Sequence, residues 1–184
     1  MGQDLHWYAV YTKPRFEKKL TFRLNEKGIE AYAPLRKTLK QWSDRKKMVE
    51  EPLISSYVFV NIPLSQYYEV LNTPGAVMYI WFNGKPASIP SSQIDTLKRL
   101  VDSDAEIEVT NADLPKGSKV RISEGALKGL TGELIHLAGK KKVVIRIDEI
   151  EKTLLVTISP KLLEIVRGER VKIVTRDAGK NRDA

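Results

Sequence analysis

The chain has 184 residues, enough for one ordinary domain or two small ones. Hydrophobic residues make up 42% and charged residues 29%, proportions of a folded protein rather than a disordered one. The formal charge of +8 favours a polyanionic partner, and the lack of cysteine excludes disulfides and thiolate metal sites. No stretch is apolar for the roughly 20 residues a membrane span needs. The opening Met1-Gly2-Gln3-Asp4-Leu5-His6 has neither the basic start nor the apolar run of a secretion signal, so the cytoplasm is the expected compartment.

Trp7-Tyr8-Ala9-Val10-Tyr11-Thr12 is aromatic and β-branched enough for a strand. Pro14 suits the first turn of a helix, in which Phe16, Leu20 and Leu24 recur every four residues along one face and Gly28 provides the stop. Residues 29–34 read as a second strand. Residues 36–51 are polar and basic and suit an exposed hairpin or loop; Trp42 within them either stacks on an unpaired base or anchors its own hairpin. Tyr57-Val58-Phe59-Val60 is a continuous apolar run typical of a strand in the middle of a sheet. Residues 64–72 read as helical, Asn72-Thr73-Pro74-Gly75 has turn chemistry, and residues 76–82 return as a strand. Ser91 or Ser92 caps a last helix whose Ile94, Leu97 and Val101 share a face.

Residues 102–115 hold five carboxylates and no basic residue, the composition of a flexible, solvated acidic linker. Beyond them come short strand candidates with glycine turns: 120–122, 132–137, 143–147, 154–158 and 162–166. Five strands in about fifty residues suit a small barrel. The β-branched runs at 143–147 and 154–158 favour strands over helix as the resting form. The residues after Gly168 form a basic tail. The expected layout is a domain at 1–101, the linker at 102–115, a barrel at 116–167 and the tail at 168–184.

The segment from Gly117 to Leu134 reads GSKVRISEGALKGLTGEL and resembles the KOW motif. Val120 and Ile122 alternate with Lys119 and Arg121, Gly125 and Gly129 can turn where other residues cannot, and Gly132 lets strands approach closely. Other SH3-like barrels share such glycine turns, and KOW units also occur in ribosomal proteins. The first half is more specific. Trp7 to Lys13, Glu17, Ala33-Pro34, Glu51-Pro52-Leu53, Tyr57 to Val60, Thr73-Pro74-Gly75-Ala76-Val77 and Ile89-Pro90 fall in the order of the NusG N-terminal domain. With the KOW unit, the resemblance to the NusG family covers nearly the whole chain. Tyr11-Thr12-Lys13 and the Glu51 to Val60 stretch look closer to specialised RfaH- and UpxY-like paralogues. Housekeeping members usually carry Pro-Gly where this chain has Ser55-Ser56.

The resemblance implies an α+β fold: an N-terminal NGN domain with an antiparallel sheet flanked by helices, then an all-β SH3-like KOW barrel. It implies a non-enzymatic transcription elongation and antitermination factor that suppresses pausing. The N-terminal domain of the family grips the clamp helices of the largest RNA polymerase subunit, and the matching positions here are Tyr11, Ile54, Tyr57 and Phe59. Tyr57 and Phe59 equally suit the core, whereas Ile54, at the end of a loop, is expected at the surface. In RfaH-like proteins the first helix contacts the non-template DNA strand; the matching residues are Lys13, Lys19 and Arg23. These belong to a basic stripe, Arg15, Lys19, Arg23 and Lys27, which also suits an ordinary solvated helix face. A family contact to the opposite polymerase lobe maps to Gln66-Tyr67-Tyr68, tyrosines where a His-Thr-Thr stretch is usual. The KOW partner in the family is ribosomal protein S10 or termination factor Rho. His6 and His136 sit in no metal or triad spacing, no phosphate-binding loop is present, and no cofactor or metal is expected. A ribosome-associated or general RNA-binding KOW protein is the alternative, with Lys140-Lys141-Lys142 as its RNA surface.

Overall fold

The computed structural model describes residues 4–41 and 44–166; Trp42 and the basic tail at 168–184 lie outside the described residues. In chain order the elements are β1 (His6–Thr12), α1 (Glu17–Glu26), β2 (Glu30–Tyr32), β3 (Leu35–Gln41), β4 (Lys46–Pro52), β5 (Tyr57–Ile62), α2 (Tyr67–Leu71) and β6 (Ala76–Tyr79). The short strands β7 (Trp81–Phe82), β8 (Lys85–Pro86) and β9 (Ser88–Ile89) follow, then α3 (Ser91–Asp102). The last part holds β10 (Glu106–Thr110), β11 (Ser118–Ile122), β12 (Thr131–Leu137), β13 (Lys140–Ile147), β14 (Lys152–Thr157) and β15 (Leu163–Ile165).

The first sheet runs β2-β5-β1-β6, with β9 also pairing β1, and is antiparallel. Its central strands are apolar on both faces because both faces are covered. Tyr8, Val10, Val58, Val60 and Ile62 pack with Leu20 and Leu24 of α1. On the opposite face Trp7, Ala9 and Phe59 share a cluster with Ile94, Leu97 and Leu100 of α3. The spacing of Leu20 and Leu24 thus does what the periodicity implies. Phe16 precedes α1 and is only half-buried, and Pro14 lies in a turn before the helix rather than in its first turn. The stop is a Schellman motif: Gly28, at φ +78°, donates to the Asn25 carbonyl, and Ile29 donates to Leu24. At α3 the residue before the first turn is Pro90, so no serine side chain caps this helix.

The second sheet has six antiparallel strands in the order β10-β14-β13-β12-β11-β15. The segment expected to be a solvated linker supplies β10, paired with β14 along its length. Ile107 and Val109 alternate with Glu106 and Glu108, a period of two that the acidic composition masks. The charge is also used: Glu108 accepts a 2.6 Å hydrogen bond from Lys142, whose side chain is only 7% exposed. Residues 143–147 and 152–157 are strands, as their β-branched content requires.

Gly125 and Gly129 take positive φ, as the turn after β11 demands. Gly132 has a different duty. A Cβ built there lies 2.6 Å from Val143 Cγ1 and 2.7 Å from the Val144 carbonyl oxygen. Gly132→Ala is therefore expected to push β12 from β13 and lower stability by about 1–3 kcal/mol. A fall in the urea midpoint at unchanged slope checks this; an unmoved midpoint refutes it.

One apolar cluster joins the two sheets. The cluster that contains Trp7, Ile54, Phe59 and the α3 leucines continues into Val120, Ile122, Val143, Ile145, Ile147, Leu154 and Val156. Arg99 on α3 adds hydrogen bonds to the Ala126 and Lys128 carbonyls, at 3.1 and 2.5 Å.

Candidate functional site

The turn at 73–75 organises the basic surface. Lys13 N–H and the Thr12 hydroxyl both donate to the Gly75 carbonyl, at 3.0 and 2.9 Å. The Arg23 guanidinium donates to the Pro74 carbonyl at 2.7 Å, and Lys27 Nζ donates to the Thr73 hydroxyl at 2.9 Å. One turn therefore holds the end of β1 and the flank of α1 together, which brings Lys13 and Arg23 to the same place. Lys19 lies one helical turn before Arg23, its ammonium 5.3 Å from the centre of the Phe16 ring. Lys13 and Lys19 are exposed and Arg23 is half-buried. Among the described residues no carboxylate pairs with Lys13, Arg15, Lys19 or Arg23. These charges are thus available to an external anion. The turn chemistry of Asn72 to Gly75 was visible in sequence; that its carbonyls would clasp the basic helix was not, because the contact spans about fifty positions of chain.

Between α1 and the β3–β4 hairpin runs an open groove of about 1210 Å³. Lys18 crosses it to Glu50 at 2.5 Å, and that hydrogen bond, then the ammonium's charge, holds the Glu50 carboxyl below the usual carboxylate range. Lys40 pairs with Glu51 beside it.

The second surface begins at the same end of β1, one residue before Thr12. Tyr11 pairs with Tyr57 across β1 and β5, their rings edge to face at 5.9 Å. Burial, then Tyr11 and Glu151, push the Tyr57 phenol above its ordinary range, which keeps the ring neutral. Tyr11 is 37% exposed, Tyr57 is half-buried and Phe59 is fully buried. Ile54 was expected at the surface and is 1% exposed. Its cover comes from residues distant in sequence, since it shares one apolar cluster with α3 and the C-terminal sheet. Lys152 of β14 places its ammonium 5.3 Å from the centre of the Tyr57 ring. The loop before Tyr57 is tied to α1: Glu17, itself 4% exposed, accepts a 2.7 Å hydrogen bond from Ser56 N–H. Ser56 holds φ +64°, a left-handed conformation that suits glycine better.

In α2, Tyr67 stacks on Tyr79 at 4.3 Å and is thereby committed to packing, whereas Tyr68 is 72% exposed. Among the described residues no group of three or more His, Asp and Glu side chains could hold a metal ion.

The family model described as transcription termination factor nusG matches residues 5–98, just over half of the chain. The chain belongs to the NusG family. Members of the NusG family are transcription factors, not enzymes. The matched segment contains every element that carries the two surfaces above. A structure of Thermotoga maritima NusG concerned with its domain interaction is 19% identical, with a TM-score of 0.49, covering 89% of this chain and 98% of that one. A chain of an MjSpt4:Spt5 complex is 17% identical, with a TM-score of 0.28, covering 87% of this chain and 97% of that one. No helix among the described residues is long and apolar enough to cross a membrane.

Proposed function

We propose that this NusG-family chain is a cytoplasmic transcription elongation factor of the specialised RfaH- or UpxY-like kind, acting in antitermination. It binds the clamp helices of the largest RNA polymerase subunit through the face containing Tyr11, Ile54, Tyr57 and Phe59. It holds the non-template DNA strand through Lys13, Lys19 and Arg23. A factor that binds the closed clamp more tightly than the open one shifts the population towards the closed, processive state. The C-terminal sheet, as a KOW domain, then recruits ribosomal protein S10 or Rho. The observation that carries this reading is the family match over residues 5–98, the segment in which all seven site residues lie.

Lys152 of the C-terminal sheet sits against Tyr57, and Ile54 and Phe59 share an apolar cluster with that sheet, so polymerase binding through these residues requires its release. Tyr11, at the exposed rim, is the residue that separates docking from folding; Ile54, at 1% exposure, is not. Tyr11→Glu is expected to weaken binding to a clamp-helix fragment at least about tenfold, as loss of an interface anchor does. An unchanged circular dichroism spectrum would exclude unfolding. Unchanged binding would remove Tyr11 from the docking surface. A tagged chain should recover RNA polymerase from a cell extract. Recovery of ribosomes alone would favour the general RNA-binding alternative, against which Lys142 already speaks: it is buried and paired with Glu108, leaving only Lys140 and Lys141 of that run exposed.

A further inference from the structure

We propose that Phe22 is a stacking platform for one unpaired base of a nucleic-acid strand lying along α1, and so the residue by which the DNA surface selects an unpaired strand over a duplex. This role rests on the DNA-binding reading above. Phe22 is 62% exposed although it is a large apolar side chain, and it lines the groove between α1 and the β3–β4 hairpin. It follows Lys19 by three positions and immediately precedes Arg23. An aromatic face beside cations is what an unpaired strand needs: the cations take the phosphates and the ring takes a base.

The charge of the groove selects this occupant. Of its carboxylates, Glu17 is buried and bonded to Ser56 N–H, Glu50 is neutralised by Lys18, and Glu51 by Lys40. Arg15, Lys19 and Arg23 have no carboxylate partner among the described residues, and of the lining acids only the buried Glu17 and Glu26 oppose these three cations. The balance of unpaired charge is therefore positive, and an exposed aromatic ring lines the same groove. A duplex keeps its base faces stacked inside and offers this ring nothing. A single strand offers both groups the ring and cations recognise.

The test uses the full chain and fluorescently labelled single-stranded oligonucleotides, titrated at several salt concentrations. Phe22→Ala is expected to weaken binding by about 5- to 150-fold, the range for loss of one base–aromatic stack. The log–log salt slope should not change, because no phosphate contact is lost. Phe22→Trp should bind at least as well as the parent, and Phe22→Leu should behave like the alanine variant. An oligonucleotide with an abasic site at the stacked position should lose affinity for the parent chain and lose none for Phe22→Ala. If Phe22→Ala binds like the parent while replacement of Lys13, Lys19 and Arg23 weakens binding, the DNA surface stands and the stacking role is overturned. If the parent chain binds no single strand at any salt concentration, both fail, and the groove serves a protein segment instead.

Discussion

Replacing Lys13, Lys19 and Arg23 together with alanine will flatten the salt dependence of binding to an elongation complex with an open bubble by about two units. Each phosphate neutralised on a single strand contributes a slope of about 0.7, so three contribute about 2.1. Between 50 and 200 mM salt, the affinity lost by the parent chain should exceed that lost by the variant roughly twentyfold on the same principle. The structure makes three contacts to one strand reasonable. Lys13 and Arg23 are held by adjacent carbonyls of a single turn, and Lys19 is one helical turn away on the same helix. Arg23 spends one N–H on the Pro74 carbonyl and keeps its remaining donors and its full charge. Binding to an isolated clamp-helix fragment should survive the triple replacement, since Tyr11 and Tyr57 are untouched. A slope equal to the parent's would make the stripe an ordinary solvated helix face.

Loosening the contact between the C-terminal sheet and the N-terminal half will tighten binding to the clamp helices. Arg99→Ala removes two hydrogen bonds to carbonyls at 126 and 128, and Lys152→Ala removes the cation above the Tyr57 ring. Neither residue belongs to the proposed docking set. A site exposed in only a fraction of molecules binds with its intrinsic affinity reduced by that fraction. Hydrogen bonds from a charged group contribute about 1.5–3 kcal/mol and an exposed cation–π contact about 0.5–1. Solvent exposure of the guanidinium lowers the first figure, so about 1.4 kcal/mol, or a tenfold gain in affinity, is expected for the pair. The same titration with Tyr11→Glu in the loosened background should abolish the gain. Equal affinity of the loosened and parent chains would mean that the sheet does not compete with polymerase for this face.

Much of this arrangement is legible in the sequence, and the misreadings share a cause. The strands around Val10 and Val58 and the helix carrying Leu20 and Leu24 are set by local pattern, and so is the stop at Gly28. The positive-φ glycines at 125 and 129 are equally local. Ile54 reads as a surface residue because nothing local reveals its cover, an apolar cluster that draws on β1, α3 and the C-terminal sheet. Strand β10 was hidden because net charge is read more easily than the alternation of Ile107 and Val109 beneath it. Lys142, part of a run of three lysines, gives no local sign that its neighbour across the sheet brings a carboxylate. Phe22 was invisible as a site residue for the opposite reason. It is off the apolar stripe of its helix, and only the hairpin packed alongside turns an exposed ring into the wall of a groove.

The hydrogen bond between Glu17 and Ser56 gives the two surfaces a common joint. Glu17 stands at the first turn of the helix that carries Lys19, Phe22 and Arg23; Ser56 immediately precedes Tyr57. The carboxylate is buried and reaches across 39 positions of sequence, so a displacement of the helix cannot leave the loop where it was without breaking that bond. Linkage then works in both directions: to whatever extent a bound strand favours one pose of the helix, it changes the affinity of the tyrosine face by the same factor that a bound polymerase changes the affinity for the strand. Glu17→Gln keeps an acceptor for Ser56 and should preserve this reciprocity, whereas Glu17→Ala should uncouple the two binding events, leaving each affinity indifferent to the other ligand.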